Sequence, residues 1–180
     1  MSTPLRSLIE ALPPYASDIA LNFGSVVAET LLTDQQKWGC LVASAHAVAT
    51  PAVVKAVEAA AGEAGLSVEA MTAAKGAAAI MAQNNVYWRA LDLLKNQEYR
   101  ALRARLRMRI ASNPGAPKDD FDLWCVAVSA IHGCPDCLDA HEGALRERGM
   151  DPTRIQTALR IAAVVHAATR VMAAEAAAAT

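Results

Sequence analysis

No stretch of this 180-residue sequence approaches the ~18 to 20 uninterrupted apolar residues that a membrane-spanning helix needs. The opening MSTPLRSLIEALPPYASD lacks the charged start and apolar middle of a secretory signal, so the chain is expected to be soluble and cytoplasmic. A surplus of either charge is missing too, since 17 Lys and Arg against 18 Asp and Glu leave a net charge of -1. That balance offers no long-range attraction to nucleic acid or anionic lipid, and neither is expected as a partner. The dense basic run Arg100, Arg103, Arg105, Arg107 and Arg109 reads as solvated helix surface. Cysteine is scarce: Cys40, Cys125, Cys134 and Cys137 are too few and too unevenly spaced for the disulfide framework of a small secreted protein. Cys40 and Cys125 lie in apolar runs, GCLVASA and WCVAVSA, where an inert buried thiol is the default. Strand signals are nearly absent.

What the sequence does contain is alanine and helix punctuation. Its 54% hydrophobic content exceeds that of a typical soluble domain, which points to a subunit interface for the surplus. The length fits one domain, 1–180, around one core. Thr3-Pro4 and Thr50-Pro51 each place a capping side chain before a proline at the first helical position. Thr33 with Gln36 forms a capping-box pattern, Ser67 precedes an alanine-rich run, and Asp151-Pro152 opens a last helix. Gly65 and Gly149 are natural stops. The segments between are rich in good helix formers with apolar spacing of three and four residues, so the expected class is all-α. SNPGAPKDD, residues 112–120, is the strongest loop and divides two halves.

Those halves resemble each other. PAVVKAVEAAAGEAGL from Pro51 and PDCLDAHEGALRERGM from Pro135 match at a shift of 84 in Pro51/Pro135, Ala56/Ala140, Glu58/Glu142, Ala60/Ala144, Glu63/Glu147 and Gly65/Gly149. Upstream, CLVASA at Cys40 lies over CVAVSA at Cys125 at a shift of 85, one inserted residue apart. We read a duplicated helical unit, approximately 34–83 and 119–167, sharing one core. The copies differ where it matters: Cys134, Cys137 and His141 fall on Thr50, Val53 and Val57. Packing of the unit therefore does not require the thiols.

The second copy carries GCPDCLDAH, Gly133 to His141. Gly133 and Pro135 bracket Cys134, so a helix is expected to begin there, with Cys137 one turn in and His141 one turn further on the same face. The helix dipole favours a thiolate at Cys134, whereas a neutral His141 could take the proton of Cys137, and the order of reactivity stays open on these grounds. A zinc site would need a fourth ligand such as His132 or Asp136, with no second C-x-x-C to supply one. A bland thiol pair would not need the special backbone around it. Leu138 after Cys137 excludes haem attachment. Redox chemistry fits the pattern best.

FDLWCVAVSAIHGCPDCLDAHEGALRERG resembles the active-site region of the alkyl hydroperoxidase D family of the carboxymuconolactone decarboxylase-like superfamily, whose pattern is an acidic residue, eleven residues, then C-x-x-C-x-x-x-H. The resemblance extends through LPPYASDIALN, QQKWGCLVASA and AAIMAQNNVYWR, nearly the whole chain. It implies a compact all-α homotrimer that reduces peroxides and regenerates a peroxiredoxin partner. It also implies that Cys137 attacks the peroxide to form a sulfenic acid and that Cys134 resolves it as a Cys134–Cys137 disulfide. His141 and Asp122 would relay the proton. Electrons would come from a dihydrolipoyl group on an acyltransferase of a 2-oxo acid dehydrogenase complex, kept reduced by dihydrolipoamide dehydrogenase, and no cofactor would be bound by the chain itself.

Two departures stand out. The family's acidic position is usually glutamate, whereas Asp122 is a methylene shorter, which leaves room for a water in the relay or for a plain role as a first-turn helix acid. Asp136 sits between the cysteines where the family often has histidine; its charge should raise the thiol pKa values, and a protonated His132 could offset it. His46 and His166, in alanine-rich helices, receive no role. The competing functional reading is a superfamily member without peroxidase activity that acts as a thiol sensor or interaction module.

Overall fold

Helix-favouring residues and well-placed caps account for the architecture. The computed structural model describes residues 2–179, in which every regular element is helical. The order is α1 (Thr3–Glu10), a 3-10 turn at Pro14–Ala16, α2 (Ser17–Val27), α3 (Asp34–Val48), α4 (Pro51–Glu63), α5 (Val68–Leu93), α6 (Glu98–Ala101), α7 (Arg109–Ser112), α8 (Lys118–His132), α9 (Pro135–Glu147) and α10 (Pro152–Ala178). Thr33 Oγ1 accepts from the Gln36 amide while Gln36 Oε1 accepts from the Thr33 amide, each at 3.2 Å, the reciprocal capping box at the start of α3. Ser67 Oγ accepts from the Ala70 amide and Asp151 Oδ1 from the Thr153 amide, fixing the starts of α5 and α10. Gly65 and Gly149 end α4 and α9 in the left-handed region, at φ +85 and +87.

The two Thr-Pro caps turn out differently. Thr3 lies inside α1, with Ser2 at the cap position, and neither Ser2 nor Thr50 makes a side-chain cap bond. At both starts the proline suffices, because its fixed φ suits the first turn and it has no amide to satisfy. The divider differs from expectation: SNPGAPKDD gives its ends to α7 and α8, leaving 113–117 as loop, and a second irregular stretch covers 102–108. The basic run is exposed but largely not helical. Its sequence RARLRMRI alternates, and the structure follows that period of two: Arg103, Arg105, Arg107 and Arg109 face solvent while Ala104, Leu106, Met108 and Ile110 are half-buried. Ile110 reaches α5 at Gly76, where a β-carbon would collide with it.

α3 and α8 pack together at the centre, with α5 and α10 each lying against both of them. α4 packs on α3 and α1, and α9 packs on α8 and α5. Asp34 and Lys118, Pro51 and Pro135, Val68 and Pro152 are helix starts each 84 residues apart. α3 and α8 have 15 residues each and α4 and α9 have 13, so no inserted residue is accommodated within them. The upstream match at a shift of 85 therefore aligns similar letters, Cys40 with Cys125, that occupy helix positions one residue out of step. Close approach of the central pair depends on Gly39 of α3, whose hydrogen faces the fully buried ring of Trp124 in α8. Trp124 Nε1 donates to the Gln36 carbonyl at 3.1 Å. α10 has the length and hydropathy of a membrane span by composition alone, with a mean hydropathy of 1.3. In this fold its Ile155, Ala158, Ile161, Ala162 and Val165 enter the shared core.

Candidate functional site

The backbone between α8 and α9 sets the site. Gly133 closes α8 at φ +64, and the chain turns at once into α9, with Cys134 at the N-cap and Pro135 at the first helical position. The Cys137 amide points at Cys134 Sγ, 3.4 Å away. Cys134 is fully buried and Cys137 is 6% exposed. Burial, then the neighbouring Cys134 thiol and the Asp136 charge, push the Cys137 pKa well above the ordinary thiol value. Desolvation thus holds Cys137 in its thiol form, and its activation needs a base. Burial likewise pushes up the thiols of Cys40 and Cys125, both fully buried in the central helices.

His141, two turns into α9, is positioned by Asp122 of α8. His141 Nδ1 lies 2.9 Å from Asp122 Oδ1, so the shorter side chain reaches the imidazole directly, without a water. Asp122 begins the second turn of α8, which starts at Lys118, and is 2% exposed. It is therefore not a solvated first-turn acid. Burial opposes its charge, but hydrogen bonds from His141, Lys118 and Arg148 prevail and hold its pKa at about 2. Lys118 Nζ donates to Oδ1 and an Arg148 guanidinium nitrogen to Oδ2, each at 2.6 Å. An ionised carboxylate can only accept, so Nδ1 of His141 carries the proton of the neutral ring and Nε2 keeps the lone pair.

Cys137 and His141 line one cleft of about 400 Å³, together with Met81, Asn84 and Trp88 of α5, Met108, Asp136 and Ala140. Asp136 is paired with Arg100, NH1 to Oδ2 at 3.0 Å, and Arg100 also reaches Asp92 at 3.1 Å. His132 is turned elsewhere: Asn85 Nδ2 donates to its Nδ1 at 3.1 Å, and its Nε2 faces the Ala47 carbonyl at 3.4 Å. Among the described residues no three His, Cys, Asp or Glu side chains are grouped so as to hold a metal ion. His46 pairs with Glu58 at 2.5 Å, and His166 lines a different hollow between α8 and α10.

Sequence reasoning passed over Lys118, Arg148, Arg100, Asn84, Trp88 and Met108. One signal was there to be read. AQNNVYW places two asparagines, poor helix formers, in the middle of an alanine-rich helix, and both are buried. Asn85 supports His132 and accepts from Ser129 Oγ at 3.1 Å, while Asn84 faces the cleft.

Residues 97–180, which include Asp122, Cys134, Cys137 and His141, match the family described as the Carboxymuconolactone decarboxylase family. Over 173 residues, covering 96% of each chain, the sequence is 56% identical to a Hyphomonas neptunium protein named "Alkyl hydroperoxide reductase AhpD". A protein of the same name from Maricaulis maris is 54% identical over 171 residues, 95% of this chain and 98% of the relative. A third, from Streptomyces avermitilis, is 51% identical over 172 residues, 96% and 97% of the two chains. At that identity over nearly the full length of both partners, the chain belongs to the AhpD family of the carboxymuconolactone decarboxylase superfamily.

Proposed function

We propose that the chain is a thiol-dependent alkyl hydroperoxide reductase in which Cys137 attacks the peroxide and Cys134 resolves the product. The observation that carries this reading is the cleft in which Cys137 and His141 meet, with His141 held by Asp122 in the tautomer that exposes a base. His141 takes the Cys137 proton, and the thiolate attacks the terminal peroxide oxygen. The O–O bond breaks, Cys137 becomes a sulfenic acid, and the alcohol leaves with the returned proton. Cys134 then displaces hydroxide from Cys137, giving a disulfide and, with a proton, water. Three-residue spacing at a helix start allows the two sulfurs to meet with little backbone movement.

A dihydrolipoyl group returns the two electrons as it is oxidised to its own cyclic disulfide. By this reading the donor is the dihydrolipoyl acyltransferase of a 2-oxo acid dehydrogenase complex, recharged by dihydrolipoamide dehydrogenase, and no cofactor is held by the chain. The same thiols regenerate a peroxiredoxin of the AhpC type. We further propose a cytoplasmic homotrimer, supported by the apolar side chains exposed on one subunit, among them Leu21, Val86 and Leu93.

The test is oxidation of dihydrolipoamide by tert-butyl hydroperoxide in the presence of purified protein. Many turnovers per chain are expected. Oxidation that stops after one equivalent would replace this reading with that of a thiol sensor.

A further inference from the structure

The cleft beside Cys137 is apolar over most of its wall, through Met81, Trp88, Met108 and Ala140, and Asn84 interrupts that wall. Asn84 is 6% exposed. Its Oδ1 accepts from Gln83 Nε2 at 3.2 Å, while its Nδ2 donors have no partner among the described residues. The open amide nitrogen is not sealed in the core but keeps access to the cleft, and asparagine is itself unfavourable inside a helix. Packing does not call for it: the corresponding position of the other helical unit, 84 residues on in α10, is the fully buried Ala168. The amide is therefore an addition at the cleft that holds Cys137.

We propose that Asn84 is a catalytic residue of the peroxide step, its Nδ2 donating to the oxygen that departs as alkoxide. This deepens the reading above and rests on it. Displacement at oxygen is in line, so the entering sulfur and the leaving oxygen stand on opposite sides of the oxygen attacked. Cys137 and His141 belong to α9 and Asn84 to α5, the helix packed against it. A hydroperoxide seated between the two meets the thiolate on one side and the amide on the other. As the S–O bond forms and the O–O bond breaks, the electron pair moves onto the leaving oxygen. There the amide hydrogen bond strengthens, and the proton held by His141 completes the alcohol. Apart from Asp136, which is paired with Arg100, the remainder of the wall facing the leaving oxygen is apolar and suits an alkyl group on it, so the chemical class favoured is an organic hydroperoxide.

Asn84→Ala removes the donor, and Asn84→Leu removes it while refilling the space. In single-turnover oxidation by tert-butyl hydroperoxide, read as sulfenic acid at Cys137, both variants should be slower by about 10²-fold. Alkylation of Cys137 by iodoacetamide, which needs the thiolate but expels no alkoxide, should stay within about twofold of the parent. Reduction of the Cys134–Cys137 disulfide by dihydrolipoamide should be unchanged. The proposal is overturned if oxidation and alkylation fall together, or if Asn84→Leu restores the rate lost in Asn84→Ala, since either result assigns Asn84 to packing. Unchanged oxidation in both variants overturns it as well. If peroxide fails to oxidise the parent protein, the underlying reading falls and the role of Asn84 with it.

Discussion

Asp122 Oδ1 stands 2.9 Å from His141 Nδ1 and 2.6 Å from Lys118 Nζ, so one buried carboxylate oxygen serves both an imidazole and an ammonium. The aspartate is not short for its task. Extending it by a methylene, in Asp122→Glu, would force the carboxylate into a space that leaves Asp122 only 2% exposed. Overpacking of that kind costs about 1–3 kcal/mol. We expect slower sulfenic acid formation in this variant together with a lower melting temperature. A faster enzyme would show that the imidazole is better supported from a longer arm.

The same carboxylate makes the fold sensitive to acid. Its pKa is about 2 in the folded chain against an ordinary 3.8, because hydrogen bonds from His141, Lys118 and Arg148 outweigh burial. A folded value below the unfolded one stabilises fully above 3.8 and loses that contribution as pH falls through 2. The amount is about 2 kcal/mol. In urea titrations between pH 6 and pH 2, the parent should lose about 2 kcal/mol more than Asp122→Asn, which has no charge there to protonate. Parallel pH profiles for the two proteins would remove Asp122 from the acid response.

Asp136 and Arg100 should tune the thiol in opposite directions. The Asp136 charge raises the Cys137 pKa, after burial and Cys134, and Arg100 partly neutralises it at 3.0 Å. Asp136→Asn should therefore quicken alkylation of Cys137 at pH 7, and Arg100→Ala should slow it. The pair is about a third exposed, at 37% and 36%. Screening limits each change to roughly two- to threefold at low salt, shrinking as salt is added. A rate insensitive to both substitutions would leave burial and Cys134 as the sole controls.

The legible parts of this molecule were those written locally. Thr33 with Gln36, Ser67 and Asp151 announce three helix starts because a cap and its target lie within three residues. The turn from Gly133 to Pro135 is legible for the same reason. Asp122 was found through the resemblance to the family's pattern, but its environment was not, since Arg148 lies 26 residues away and meets it only after α8 and α9 have packed. Arg100 was hidden in a run of like charges, and nothing local says which of those arginines would find Asp136. Met108 entered the cleft through an alternating strip that a search for helical spacing passes over. The Asn84 amide could be noticed as an anomaly of composition, but its use depends on α9 lying alongside α5.

Two glycines should respond in opposite ways to the same change. A β-carbon at Gly39 would collide with the Trp124 ring, whose own bond to the Gln36 carbonyl fixes it in place, whereas one at Gly62 meets nothing within 4 Å. Gly39→Ala should cost about 1–3 kcal/mol or more by forcing the central helices apart. Gly62→Ala, inside α4, should stabilise by roughly 0.5–1 kcal/mol. Thermal unfolding followed by circular dichroism separates the two, and a neutral Gly39→Ala would show that α3 and α8 have slack where the structure has contact.

The order of attack is decided by the two cysteines themselves. Cys137 lines the cleft with His141, whereas Cys134 is fully buried with its sulfur turned to the Cys137 amide. With peroxide, Cys134→Ser should form one sulfenic acid per chain and then stop, because no thiol remains at the cap to resolve it. Cys137→Ser should form none. His141→Ala should keep the fold, since the histidine is a partner of Asp122 and not part of the core, and should slow sulfenic acid formation by about 10²-fold if Nε2 is the base. A dimedone-type probe with mass spectrometry reads all three. In the parent protein, peptide mapping after peroxide should find Cys134 joined to Cys137, with Cys40 and Cys125 still free. Labelling that follows Cys134 instead would mean that the amide donated to its sulfur counts for more than the open cleft and the base beside Cys137, and the two roles would then have to be exchanged.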